Sequence, residues 1–303
     1  MKHFVTALVS IALIVAVTGC ASLNREAGSY VVVEKSAAES REVFGFWNFN
    51  GSPANEVTGG EPLLLAYAPV GGHFVDDREN REFFENTKYH LTKDRLISEF
   101  RPEVHPDWEK DSSNREMKNT LINQYIQAYI PVPEINLDLF TVAFRLRLGS
   151  SSKNYVDSDG NPVGRHVQVL HMGFVGHPWK VYAIQDGPSG PFTLQINLND
   201  SKRDESLQYD TDIIIPTDTE TEIVLSIDNY EHTLKIYKDG ELSSYDIKRI
   251  REWGHCPSGG TDNTTLRLAP FVLERMEFDW LTIMNGTWNY TQINDLKDLH
   301  LEK

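Results

Sequence analysis

The chain has 303 residues, with 44 Asp and Glu against 29 Lys and Arg, for a formal net charge of −15. That balance argues against a nucleic-acid partner, which needs a basic patch for phosphate, and against docking on anionic lipid through the protein's own face. Its two cysteines, Cys20 and Cys256, allow no CxxC motif and no cysteine-based zinc site.

The chain opens Met1-Lys2-His3 and then runs apolar from Phe4 to Val17. The run has the length of a signal-peptide core, about 7–15 residues, and falls short of the ~20 that a membrane-spanning helix needs. It ends Val17-Thr18-Gly19-Cys20-Ala21, small residues followed by a cysteine. This resembles the lipobox of bacterial lipoproteins. The resemblance implies removal of residues 1–19, a diacylglycerol on the Cys20 sulfur and a further acyl chain on its freed amine. Buried acyl carbons contribute about 0.8 kcal/mol per CH₂, so such an anchor holds permanently. Ser22 follows Ala21 and no aspartate adjoins the cysteine, which by the same resemblance implies the outer membrane of a Gram-negative cell. With Cys20 acylated, Cys256 has no partner within the chain and no disulfide is expected. Residues 20–42 are polar with scattered Ala, Glu and Ser and read as a tether, leaving 43–303 as the folded domain.

Phe44-Gly45-Phe46-Trp47-Asn48-Phe49 begins that domain with alternating pattern. Residues from about 70 to 125 read as an insertion; its Asp76–Glu82 charge run is a solvated face, and Glu82–Phe100 fits either a short helix or a polar strand pair. From Leu139 the period becomes two: Phe140, Val142, Phe144, Leu146 and Leu148 alternate with Thr141, Ala143, Arg145 and Arg147, the mark of a strand with one buried face. Val167–Leu170 is a second strand, and Phe192, Leu194, Ile196 and Leu198 define a third. Ile223–Ile227 and Leu234–Tyr237 form a hairpin across Asp228–His232, and Lys238-Asp239-Gly240 predicts the next tight turn. Leu266–Leu268 and Phe278–Met284 supply two more strands, and a helix is expected near Tyr290–Leu299. Short strands and frequent turns without βαβ spacing predict an all-β antiparallel sandwich or jelly roll with minor helical insertions.

The order of these elements resembles the concanavalin A-like, laminin-G-type jelly roll. Phe46-Trp47-Asn48-Phe49 resembles the family's first strand, and Leu139–Phe144 its next core strand. Glu222–Asp228 followed by Leu234–Leu242 resembles its most typical hairpin, and Phe278–Ile283 its closing strand. Glu222 departs from the tryptophan usual there. The resemblance implies a glycan- or protein-binding fold, with glycanases among its relatives; function must come from a site.

Four sites compete. Glu277 and Asp279 begin like the E-x-D strand of laminarinase-like hydrolases, which place two carboxyls about 5–5.5 Å apart, but Thr282 stands where the last glutamate belongs. Polysaccharide lyases on this fold surround an acidic sugar with His, Tyr, Arg and Gln; here His166, Gln168, His171 and Tyr182 are the candidates, and by period two His171 falls on the face opposite His166 and Gln168. Asp157-Ser158-Asp159-Gly160-Asn161 resembles the start of a Ca²⁺ loop, with Asp157, Asp159 and Asn161 as oxygen ligands; the same pattern also makes a solvated turn. Sugar rings stack on exposed aromatics with polar neighbours fixing the hydroxyls, which points to Trp179, Tyr182, Gln185 and Trp253. Tryptophans in such loops also serve as core lids. Aromatics at 11% of the chain, including 6 Trp and 12 Tyr, fit this use. The sequence therefore predicts a lipid-anchored envelope protein that binds carbohydrate through a lectin-like jelly roll without catalysis. A polysaccharide hydrolase or lyase on the same scaffold, or an adhesion module that contacts protein, are the alternatives.

Overall fold

A computed structural model describes residues 43–57, 60, 62–67, 89–99, 126–132, 135–150, 164–173, 178–187, 189–254, 265–269 and 275–301. The signal and tether with Cys20, most of the insertion, the cation-loop residues Asp157, Asp159 and Asn161, and Cys256 lie outside the described residues.

Two antiparallel sheets face each other. Sheet A contains β1 (Val43–Trp47), β3 (Tyr89–Leu91), β4 (Leu96–Ser98), β6 (Leu139–Leu148), β11 (Glu220–Asp228), β12 (Thr233–Lys238), β13 (Glu241–Asp246) and β15 (Met276–Asn285). Its order is β13-β12-β11-β6-β15-β4-β3, with β1 pairing β15 along the stretch that β4 does not reach. Sheet B contains β2 (Leu64–Tyr67), β5 (Ile126–Pro131), β7 (Arg165–Met172), β8 (Trp179–Gln185), β9 (Phe192–Asp200), β10 (Glu205–Ile215) and β14 (Thr265–Leu268), in the order β10-β9-β8-β7-β14-β5-β2. The chain passes between the sheets at β1–β2, β2–β3, β4–β5, β5–β6, β6–β7, β10–β11, β13–β14 and β14–β15. The all-β antiparallel jelly-roll sandwich expected from the sequence is the architecture observed.

The core is made by alternate residues. Phe140, Val142, Phe144 and Leu146 of β6 meet Val181, Leu194, Ile196 and Leu198 of β8 and β9, all essentially unexposed. Full burial of one such side chain contributes roughly 1.5–3 kcal/mol. The β12–β13 turn has Asp239 at φ 49 and Gly240 at φ 92, the left-handed pair that a two-residue hairpin requires. The predicted strand pair in the insertion exists, β3 against β4, but it is apolar: Tyr89, Leu96 and Ile97 are buried.

The helix, α1 (Tyr290–Leu301), lies on the outer side of sheet A. Asn289 caps it, its Oδ1 accepting from the Gln292 amide at 3.0 Å while Gln292 Oε1 accepts from the Asn289 amide at 2.9 Å, a reciprocal capping box. Ile293 and Leu296 then pack against Phe46, Val224, Trp280 and Met284. Among the described residues no helix is long and apolar enough to cross a membrane.

Candidate functional site

Two bulges decide which side chains share a face. In β7, Gln168 pairs with Tyr182 and Leu170 with Val181, leaving Val169 as an extra residue between them. Such an insertion re-phases the strand by one residue. Val167, Val169, Leu170 and Met172 all enter the core, so His166, Gln168 and His171 all face outward. The period-two expectation that His171 opposes the other two is therefore corrected.

The register extends this into rows across sheet B. Tyr129 of β5 pairs with Arg267 of β14, and Arg267 with His171. His171 pairs with Lys180, Lys180 with Asn197, and Asn197 with Gln208. The neighbouring row runs Gln168, Tyr182, Gln195 and Asp210. Arg267, His171 and Lys180 thus stand side by side on three adjacent strands. The outward positions of β14, β7, β8 and β9 hold no acid; on edge strand β10, Asp210 accepts from Gln195 Nε2 at 2.5 Å and Gln208 Nε2 at 3.0 Å.

Burial grades this face. Arg267 and His171 are each 1% exposed, forming its floor. Lys180, Tyr182, Gln168 and Asn197 are half-buried, and His166 is exposed. Burial pulls the Lys180 ammonium below the ordinary lysine value and pushes the Tyr182 phenol above the tyrosine value. Gln168 Oε1 and Asn197 Oδ1 are buried with no hydrogen-bond partner among the described residues, two acceptors whose hydrogen-bonding capacity is unfilled.

The acidic pair behaves differently. In β15, Phe278 pairs with Leu146 and Trp280 with Arg145, so Asp279 is itself the bulged residue, on the outer side of sheet A. Glu277 accepts from Arg275 Nε and Arg95 Nη1, both at 2.5 Å. Burial raises its carboxyl, and the hydrogen bonds from Arg275 and Arg95 outweigh that, leaving it below the ordinary glutamate value. Asp279 lies 3.2 Å from Arg145, yet burial leaves it above the usual aspartate value. Glu222 binds Lys297 at 2.8 Å and Arg145 at 3.2 Å. Glu277 and Asp279 therefore belong to an ion-pair network beside α1, not to two acids facing an open cleft.

The aromatic candidates divide. Trp179 is unexposed and stacks on Phe140, with ring centroids 5.2 Å apart; it is a core residue, not a sugar platform. Gln185 is also buried, accepting from Arg165 Nε and donating to the Gly190 carbonyl, each at 2.6 Å. Tyr182 alone of that loop reading faces outward. Trp253 is half-buried at one end of the sandwich, its indole Nε1 donating to Asp138 at 2.8 Å. Sequence reasoning missed Arg267 and gave Lys180 no role; the available signal was a charged residue between two core leucines in Leu266-Arg267-Leu268.

No family model matches the chain, and no curated protein matches it. Among solved structures, domain 4 of a GH43 extracellular arabinanase from Geobacillus stearothermophilus, in complex with arabinotriose, is 13% identical, with 84% of this chain and 98% of that one covered and a TM-score of 0.45. An alginate lyase from Pseudomonas aeruginosa is 8% identical, with 74% and 98% covered and a TM-score of 0.41. The binding domain of botulinum neurotoxin DC, in complex with SialylT, is 13% identical over 58% of this chain at a TM-score of 0.38, and the chain spans only 39% of that protein. At such identities and TM-scores these likenesses transfer neither ligand nor activity to this chain.

Proposed function

We propose that this protein is a lipid-anchored envelope protein that binds an acidic polysaccharide along the outward face of sheet B. The observation that carries the reading is the row Arg267–His171–Lys180, set beside the half-buried amides of Gln168 and Asn197 on strands free of outward acids. A chain with net charge −15 repels a polyanion unless the cleft is locally basic, and this face is. Buried Arg267, whose charge is fixed, sets the potential from below. Lys180 meets a sugar carboxylate, the amides take hydroxyls, and Tyr182 offers a flat ring with a polar tip. Cys20 carries the acyl anchor and places this face at the outer membrane; a calcium ion on Asp157, Asp159 and Asn161 belongs to the same proposal.

The test is retention of the full-length chain, in detergent, on arrays of uronate-bearing, sulfated and neutral polysaccharides. Selective retention on acidic glycans is expected; equal retention on neutral ones overturns the reading. Cys20→Ala is expected to release the protein from membranes, and unchanged fractionation sinks the anchor. Chelation is expected to lower the melting temperature, and an identical melt removes calcium.

A second reading, β-elimination of the bound uronate, is favoured by the Val169 bulge, which makes His171 and Tyr182 diagonal neighbours, about 7–8 Å between Cα positions. In that reaction a base takes the proton at C5, a C4–C5 double bond forms, the C4–O bond breaks, and an acid protonates the departing oxygen. A phenol held protonated by burial suits the acid's part. Ultraviolet absorbance of an unsaturated uronate, lost in Tyr182→Phe, would establish turnover; no absorbance from any acidic polymer that binds leaves binding alone.

A further inference from the structure

At the end of the sandwich where β9 runs into β10, a cavity of about 420 Å³ opens beside Trp253. Arg203, Tyr230, Arg249, Arg251, Trp253 and Asp138 contribute to its wall. The wall is preformed. The β11–β12 turn is fixed by the Asp228 carboxylate, which accepts from the amides of Tyr230 at 3.0 Å and Glu231 at 2.9 Å. The segment at 247–254 is tied to that turn by Asn229, whose Oδ1 accepts from the Ile250 amide at 2.6 Å and whose Nδ2 donates to the Ile250 carbonyl at 2.8 Å. It is tied to β9 through the Arg251 amide on Asp200, 3.1 Å, and the Gly254 amide on the Asn199 carbonyl, 3.0 Å.

The charge of this cavity is out of keeping with the molecule. Its acids are already engaged: Asp138 accepts from Asn229 Nδ2 at 2.6 Å and from Trp253 Nε1 at 2.8 Å, and unexposed Asp200 holds Arg203 at 3.1 Å. Arg249 and Arg251 are exposed, and neither has a carboxylate partner among the described residues. Beside them, Tyr230 is 58% exposed at the tip of its turn, and the Trp253 ring is held in place by its bond to Asp138. Two guanidinium forks with no carboxylate partner among the described residues, next to the held Trp253 ring and the exposed Tyr230 ring, make a site for a ligand that is both anionic and ring-shaped.

We propose that this cavity binds a single sugar residue bearing a carboxylate or a sulfate, with Arg249 and Arg251 on the anion and Tyr230 or Trp253 against the ring. Its volume falls in the range of small-molecule sites, roughly 300–1,000 Å³. The site stands on its own residues and does not depend on the sheet-face reading. It lies beyond Asn197 and Asn199 of β9, roughly 10 Å along the strand from the Lys180–Asn197 row at about 3.3 Å per residue.

Calorimetric titration of the full-length chain in detergent tests this, using oligogalacturonate, a sulfated oligosaccharide, a neutral oligosaccharide of equal length, and inorganic sulfate. Both anionic sugars are expected to bind and the neutral one not; if only one anionic sugar binds, that arm identifies the anion. The Arg249→Gln/Arg251→Gln double variant removes no internal ion pair and should melt like the parent while binding the sugars about a hundredfold more weakly, the loss of two charge-assisted contacts. Tyr230→Ser should weaken the sugars and leave inorganic sulfate unchanged. Affinity in the arginine double variant equal to the parent's, or equal binding of the neutral sugar, overturns the proposal. If Lys180→Gln abolishes all binding and the double variant changes nothing, the cavity fails and the sheet face stands; the converse result retains the cavity and removes the sheet face.

Discussion

The outward faces of the two sheets carry polar residues at the same strand period but resolve them in opposite ways. On sheet A the charges beside α1 meet counter-charges: Arg145 with Glu222 and Asp279, Arg95 with Glu277 and Glu220, Lys297 with Glu222. Helix α1 packs over part of that face, and Lys297 lies 5.4 Å above the Trp280 ring. On sheet B, Arg267, His171 and Lys180 adjoin amides and a phenol, with no acid in the outward positions of the four middle strands. One face completes its electrostatics within the protein and stabilises the sandwich; on the other, Lys180 has no acid beside it on the four middle strands, a charge that a ligand can meet. A charge on a β surface is therefore informative only together with the register that supplies, or withholds, its partner.

The largest test lies within β8, whose two sides belong to different worlds. Trp179→Ala on the core side should cost about 4 kcal/mol, read by denaturant unfolding, because the ring is unexposed and stacked on Phe140. Tyr182→Ala on the outward side should change stability far less and weaken polysaccharide binding. A small stability loss at Trp179 would place the ring outside the core. Next, Glu222→Ala should cost about 3 kcal/mol, since it leaves Lys297 and part of Arg145 without their anion in a largely buried setting. Its glycan affinity should match the parent's. A variant that keeps its stability and loses binding would reverse the roles of the two faces.

The strands of greatest hydrophobic contrast were legible from alternation alone: β6, β9, the β11–β12 hairpin and β15 lie where period two puts them. β8 was not, because Trp179, Val181, Ala183 and Gln185 alternate with Lys180, Tyr182 and Ile184 in a pattern whose apolar and polar sets overlap; it read as an aromatic loop. Edge strands β10 and β13 were hidden by their polar content, as in Glu241–Asp246, which is mostly exposed. The site itself escaped for a sharper reason. Period-two counting assumes an uninterrupted strand, and one extra residue, Val169, moves His171 to the other face; a second, Asp279, re-phases β15 from Trp280 onward while leaving Glu277 and Asp279 on one face. Neither bulge carries a glycine to announce it. Glu222 was visible as a departure from an expected tryptophan, but only the arrival of Lys297 from α1, 75 residues later, explains it.

Smaller effects sharpen the contrast further. Lys180→Gln should weaken binding of an acidic polysaccharide about tenfold while leaving stability unchanged or slightly higher, because burial already disfavours the charged ammonium there. For the same reason binding should fade on the alkaline side at a pH below the ordinary lysine value of 10.5. An alkaline limb shared by Lys180→Gln would assign the titration elsewhere.

The smallest effect is the acid limb of sheet A. The Glu277 carboxyl lies below its ordinary value of 4.5, so its contribution is present above that pH and is lost as the pH falls through the folded-state value. Asp279 lies above 3.8 and acts in the opposite sense, taking up a proton more readily when folded and partly offsetting the loss. Arg275 and Arg95 are partly solvated, with 43% and 26% of their side chains exposed, so the pair interaction is worth about 1 kcal/mol. Glu277→Gln should thus be less stable than the parent at neutral pH, and the gap should close on acidification. Melting temperatures measured from pH 7 down to about pH 3 give the comparison directly. A gap that persists undiminished at the acid end would mean that Glu277 contributes through packing alone, and the charge-matched account of this face would lose its central pair.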